Sequence, residues 1–168
     1  AALLRDSRVW YDFVRPGLLL YGLVPPPLGS TLALTPVMSL TSRVVAVKGV
    51  RIGEAVGYGG RFTAERATTL AIIPAGYADG LDRRLDGRGA VLIRGRRAPI
   101  VGAVSMDMLT ADVTDIDAVG PGDEVVFLGS QGSESQQSID AREMAAWIGT
   151  IPYEILCRLG SRVERKYD

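Results

Sequence analysis

The side chain best placed to do chemistry is Tyr77. It follows an apolar run, TLAIIP (69–74), and stands inside AGYADG (75–80). A rigid strand end that delivers one phenol into a Gly- and Asp-rich loop is a sensible seat for an acid or base. The same placement also suits an aromatic that packs the rim of a sheet. A second stretch, 104–125, reads as another strand, broken by Met106-Asp107-Met108. A third is the junction Arg15-Pro16-Gly17, where a strand-like run gives way to an apolar helix start. Strand, glycine, helix start is the order that leaves backbone N–H groups facing a bound anion, although many such turns hold nothing.

No histidine is present. Proton transfer near neutral pH then falls to carboxylates, Tyr, Lys or Cys, or to a cofactor. The two lysines, Lys48 and Lys166, stand against seventeen arginines. Neither lies at a strand-to-loop junction, so both read as surface charges rather than Schiff-base formers. Nineteen basic and nineteen acidic side chains cancel, and bulk charge gives no case for a nucleic acid as partner. No apolar run reaches eighteen residues, so nothing is expected to span a membrane. The single Cys157 excludes an internal disulfide and suits a reducing compartment. No metal is expected. AALLRDSRVW opens without methionine or a signal-peptide pattern, and reads as the middle of a longer chain.

The elements that must position these groups are mostly strands. An apolar fraction of 47% with twenty glycines fits a turn-rich β protein, and 168 residues suit one good core rather than two large domains. Residues 1–9 read as a helix end with Leu3 and Leu4 as its apolar remnant, WYDFVR as a short strand and GLLLYG as a short helix. PPPLGST marks a linker. Beyond it, MSLTSRVVAVKGV alternates at period two, and EAVGYGGRF is a strand or extended loop. AVLIRGRRAPIVGAV is a hairpin with Gly95 in its turn; Arg94, Arg96 and Arg97 there read as a solvated tip rather than a phosphate site. MLTADVTD and GDEVVFLG continue the sheet, and SQGSESQQS is a polar loop. Ser138 is the expected N-cap of a helix ending on Gly149, followed by a shorter helix YEILCRL and a last charged β edge, SRVERKY.

Five segments in order, VRPGLLLYG, VGYGGRF, PAGYADGLDRRL, VGAVSMDM and GTIPYEILCRLGSRVERKY, closely resemble the C-terminal portion of bacterial alanine racemases. That family consists of fold-type III pyridoxal-phosphate (PLP) enzymes with an N-terminal (β/α)8 barrel and a mainly β C-terminal domain. The resemblance covers this whole chain but about half of the family's protein. It implies a mainly β fold in which residues 1–28 are the last strand and short helix of the barrel. Residues 29–168 would be the β domain, with a helical insertion near 138–159. One βα unit cannot close a barrel, so the remaining barrel is expected as another segment of the same protein, and the fragment alone is expected to be inactive.

The resemblance also assigns roles. Arg15 would stand against the pyridine nitrogen of PLP; a guanidinium cannot accept that proton, which discourages side reactions such as transamination. The amides of Gly17 and Leu18 and the hydroxyl of Tyr153 would hold the cofactor phosphate. Tyr77 would move the α-proton on the L face, and a barrel lysine would serve the D face. A tyrosine with a reference pKa near ~10 needs positive neighbours to act as a base. Met106, through its amide, and Asp107 would lie near the substrate carboxylate. Tyr58 would line the entrance, although its flanking glycines fit a plain strand bend equally well. Tyr77, Met106 and Asp107 would reach the cofactor of a second subunit, giving a homodimer with composite sites. The implied activity is interconversion of L- and D-alanine in the cytoplasm, feeding peptidoglycan precursors. The alternatives are a racemase for serine or another small amino acid, or a non-catalytic dimerising β module.

Overall fold

The computed structural model describes residues 6–24, 33–133 and 136–167. Leu3, Leu4 and the PPPLG run lie outside the described residues, as does part of the SQGSESQQS loop. The chain forms two compact units, Ala1–Ser39 and Leu40–Asp168.

In the first unit, Asp6 caps a 3-10 turn, Ser7–Val9, by accepting the Arg8 amide at 2.9 Å. The strand expected for WYDFVR is not formed: residues 11–16 are irregular, and Tyr11 and Phe13 are exposed. Such a run becomes a strand only when a neighbour takes its N–H and C=O groups. The expected helix is a five-residue 3-10 turn, Gly17–Tyr21, which begins after Pro16 and ends on left-handed Gly22.

The second unit is an antiparallel sheet. Its strands are β1 (Leu40–Arg43), β2 (Ala46–Val50), β5 (Thr68–Ile73), β6 (Ala90–Ile93), β7 (Arg96–Val101), β8 (Leu109–Asp112), β9 (Glu124–Gln131) and β10 (Gln137–Ile139). The order is β1-β9-β6-β7-β8-β5-β2, with β10 also on β9. A separate two-stranded ladder joins β3 (Ala55–Val56) and β4 (Phe62–Thr63). The alternating run at 38–50 is therefore two strands. They are broken at Val44-Val45, where the Val44 amide donates to Asp123 O and the Val45 amide to Ile72 O, both at 2.9 Å. One segment thus serves both ends of the strand order, so the sheet curls round on itself. Its core is Leu70, Ala71, Ile73, Val91, Leu92, Ile93, Ile100, Leu109, Ala111 and Val125–Phe127, all buried. Burial of consecutive residues in β6 and β9 explains why these strands read as apolar runs and not as alternations.

Two helices pack together, α1 (Ala141–Ile148) and α2 (Pro152–Cys157), and α1 also packs on the 3-10 turn Arg83–Leu85. The N-cap of α1 is Asp140, not Ser138: its carboxylate accepts the amides of Arg142 at 2.8 Å and Glu143 at 2.9 Å. Ser138 is taken up in β10, opposite Ser130. The hairpin-tip arginines are bound to protein oxygens. Arg97 reaches Glu143 at 2.7 Å, Arg96 the Asp115 carbonyl at 2.6 Å and Arg94 the Ala118 carbonyl at 3.0 Å. SRVERKY is turn and coil, with no strand. Alternating charge without apolar partners buries nothing, so it does not hold a strand against the sheet.

Candidate active site

Strand β5 has four of its six residues buried and ends at Ile73, after which the chain passes through Pro74-Ala75-Gly76 into the 3-10 turn Tyr77–Asp79. The turn is fixed first from within. Asp79 reaches back to accept the Gly76 amide at 2.9 Å, and the Leu81 amide donates to Gly76 O at 3.2 Å. It is then fixed from across the sheet, since the Tyr77 amide donates to Ser105 O at 3.0 Å and the Ala78 amide to Met106 O at 2.9 Å. Gly76 permits this approach. A Cβ there would lie 2.3 Å from Ser105 O, 2.4 Å from Met106 O and 2.5 Å from Asp107 N. The facing loop has its own lock: Ser105 Oγ donates to Met108 O at 2.8 Å and accepts the Met108 amide at 3.1 Å.

The two braced backbones leave the Tyr77 ring half-exposed, at 48%. It opens on a cleft of about 370 Å³ lined by Tyr58, Tyr77, Arg83, Ala103, Val104, Ser105, Met106 and Asp107. Four of the residues singled out in the sequence, Tyr58, Tyr77, Met106 and Asp107, thus meet in one place. Tyr58 stands on a glycine-rich 3-10 turn, Tyr58–Gly60, between β3 and β4 and is 79% exposed. Among the described residues, the Met106 amide donates to no oxygen, so it is available to an anionic ligand. Arg83 is the lining residue that sequence reasoning passed over. Its signal was its place one residue after Asp82, whose carboxylate caps its turn by accepting the Arg84 amide at 2.8 Å. No acidic side chain among the described residues pairs with Arg83, which leaves a guanidinium on the cleft wall.

Tyr153 does not line this cleft. It is the second residue of α2 and is 46% exposed. Arg15, Gly17 and Leu18 belong to the first unit. There the amides of Gly17 and Leu18 open the 3-10 turn, and among the described residues neither donates to an oxygen. Paired free amides after a proline are the donors that a phosphate group requires. Tyr153, in the second unit, is half-exposed and its hydroxyl can also donate, so each unit by itself holds donors of the kind a phosphate group takes.

A curled antiparallel domain with a braced, strand-end tyrosine over an open cleft is the class of structure observed. Residues 37–167 match the family model described as alanine racemase, C-terminal domain. The chain is 46% identical over 168 residues to an alanine racemase of Sorangium cellulosum strain So ce56, covering 99% of this chain and 44% of that protein. Among solved structures, alanine racemase from Streptomyces coelicolor A3(2) superposes with a TM-score of 0.87 at 38% identity, covering 96% of this chain and 42% of that one. Alanine racemase from Bartonella henselae with covalently bound pyridoxal phosphate gives 0.86 at 36% identity, covering 97% and 44%. The chain belongs to the alanine racemase family and carries its C-terminal domain. It spans less than half the length of these relatives.

Proposed function

We propose that this chain is the C-terminal portion of a cytoplasmic alanine racemase that interconverts L- and D-alanine with PLP, working with an N-terminal barrel segment of the same protein. The observation that carries the reading is the Tyr77 turn, whose hydrogen bonds aim a phenol at the cleft shared with Met106 and Asp107. Bound PLP would withdraw electrons from the substrate and so acidify its α C–H. In the first unit, the amides of Gly17 and Leu18 would take phosphate oxygens, and Arg15 would face the pyridine nitrogen without accepting its proton. In the second, the Tyr153 hydroxyl would take a phosphate oxygen.

Tyr77 Oη takes the α-proton from the L enantiomer and returns it in the opposite direction. A lysine upstream of this chain serves the other face. One base on each side inverts the centre with little atomic motion, which is why a rigid seat for Tyr77 matters. The Met106 amide receives the substrate carboxylate. Arg83 supplies positive charge to the same wall, which lets Asp107 stand near that carboxylate without repelling it. Tyr58 lines the mouth. In the working homodimer, Tyr77, Met106 and Asp107 face the cofactor of the other subunit, so that each site is composite.

The test is racemisation by the full-length polypeptide that contains residues 1–168, purified with PLP. D-alanine should form from L-alanine, and residues 1–168 alone with PLP should be inactive. Faster formation of D-serine from L-serine at equal concentration would overturn the substrate. Turnover by residues 1–168 alone would overturn the need for the barrel.

A further inference from the structure

The turn that carries Tyr77 is braced from a second side, by the tail of α2. Gly80, at φ 106°, lies so close that a Cβ there would come within 2.6 Å of the Arg158 carbonyl oxygen and 2.9 Å of Leu159 Cα. The Gly160 amide donates to Asp79 O at 3.5 Å, and Arg162 Nε lies 3.4 Å from Asp79 Oδ1. Arg158 stands at the centre of this contact. Its guanidinium donates through Nη1 to the Asp82 carboxylate and through Nη2 to Glu154. Asp82 is largely buried, at 11% side-chain exposure, and also accepts from Arg84 Nε at 2.9 Å and Nη2 at 2.8 Å. Glu154 follows Tyr153 directly and also accepts from Thr150 Oγ1. One arginine therefore joins the loop five residues beyond Tyr77 to the first turn of the helix that carries Tyr153.

We propose that Arg158 is a positioning residue for Tyr77. By tying Asp82 to Glu154, it makes the tyrosine turn and the first turn of α2 one rigid body, so that the phenol keeps its distance from the substrate α-carbon. The inference rests on the reading of Tyr77 as the group that moves the L-face proton. It follows from the bidentate geometry of the guanidinium: a lysine at 158 could hold one carboxylate as a point charge but could not fork between two. Misplacing a reacting group by about 1 Å costs on the order of 100-fold in rate, whereas a group acting on the other face is untouched.

The experiment measures α-proton wash-out from L-alanine and from D-alanine in deuterium oxide, using the full-length PLP enzyme. Arg158→Ala should slow exchange from L-alanine by about 10- to 100-fold and leave exchange from D-alanine within about threefold. Arg158→Lys should restore part of the loss. In a Tyr77→Phe background, Arg158→Ala should have no further effect on L-alanine exchange, because the group it positions is gone. In the cofactor-free full-length protein, the amides of Asp79, Gly80 and Leu81 should exchange faster in Arg158→Ala than in the unaltered enzyme. Equal slowing of both enantiomers, or additive losses in the double variant, would overturn the positioning role while leaving Tyr77 as the base. If Tyr77→Phe alone spares L-alanine exchange, the underlying reading fails instead. Should Arg158→Ala not fold, Asp82→Asn carries the same test: it keeps an oxygen for the Arg84 amide but removes the charge that Arg158 grips. Unchanged L-alanine exchange in that variant would overturn the proposal.

Discussion

Two turns place a tyrosine ring on the same cleft, and they are built in opposite ways. The Tyr77 turn leaves a buried strand, is bonded to the Ser105–Met108 loop on one side and touches the tail of α2 on the other. The Tyr58 turn leaves a two-residue strand and is closed by a single bond, from the Gly60 amide to Gly57 O at 3.1 Å. Gly57, Gly59 and Gly60 all take positive φ there, a conformation that costs glycine little and other residues more. The difference suits the two roles proposed for these tyrosines. A group that must meet a carbon atom at a fixed distance needs an over-determined seat, whereas a group that lines a mouth needs only to be nearby.

The largest effect expected from this contrast is on Tyr77 itself. Tyr77→Phe removes the acidic proton and keeps the ring. Racemisation by the full-length enzyme should fall by about 10²- to 10⁴-fold, the range of a positioned acid–base group. Wash-out should collapse from L-alanine and persist from D-alanine, and PLP should still bind. Equal loss from both enantiomers would show that the ring merely holds the site together. Next in size is the seat. Gly76→Ala would drive a methyl group into the carbonyl oxygens of Ser105 and Met106. Because those atoms are backbone and cannot swing aside, a loss of about 3 kcal/mol is expected, at the top of the usual overpacking range. Urea unfolding of the full-length protein measures it, and a variant as stable as the parent would mean that the two loops are not clamped.

The seat was legible in the sequence because it is local. TLAIIP becomes β5 over most of its length, AGYADG becomes a turn, and the hairpin turn does fall at Arg94-Gly95. Gly149 ends α1 in the left-handed conformation, as the pattern implied. The rest depended on partners far away in the chain. Alternation along 38–50 is the same whether a strand keeps one neighbour or changes it at Val44, so the break was invisible. Ser138 and Asp140 are both good caps two residues apart; pairing of β10 with β9 consumed the first. Arg158 and Asp82 are 76 residues apart, and no local period reports such a pair. Tyr58, Tyr77, Met106 and Asp107 could each be picked out, but it took the β3–β4 ladder and the Ser105–Met108 loop to bring them to one cleft.

A smaller effect separates the two turns by pH. The Arg84 guanidinium holds the Asp82 carboxyl well below the usual carboxylate range; burial opposes this, and the Arg84 amide and Arg158 add to it. A carboxyl lowered on folding stabilises the native state fully above its unfolded value, near ~3.9, and that stability is lost as pH falls through the folded value. Acid should therefore loosen the Tyr77 side of the cleft only below about pH 4. In Asp82→Asn, urea stability should be lower at neutral pH and decline less steeply between about pH 4 and 2. Parallel curves for the two proteins would show that Asp82 does not hold the turn by its charge.

The smallest effect is expected at Tyr58, and it tests the contrast from the permissive side. Its ring is 79% exposed, and no hydrogen bond of its hydroxyl is present among the described residues. Tyr58→Phe should leave folding stability within about 0.5 kcal/mol, as for surface changes away from buried features. Because a mouth residue guides substrate equally in both directions, any change should fall on KM for both enantiomers alike, with kcat unaltered. Tyr58→Ala should enlarge that KM effect without touching the ratio of L- to D-alanine wash-out. The ratio is the informative quantity, since only a group that handles the proton on one face can change it. Were Tyr58→Phe to suppress L-alanine wash-out as strongly as Tyr77→Phe, the glycine-rich turn would carry the proton, and bracing would not be what distinguishes the two tyrosines.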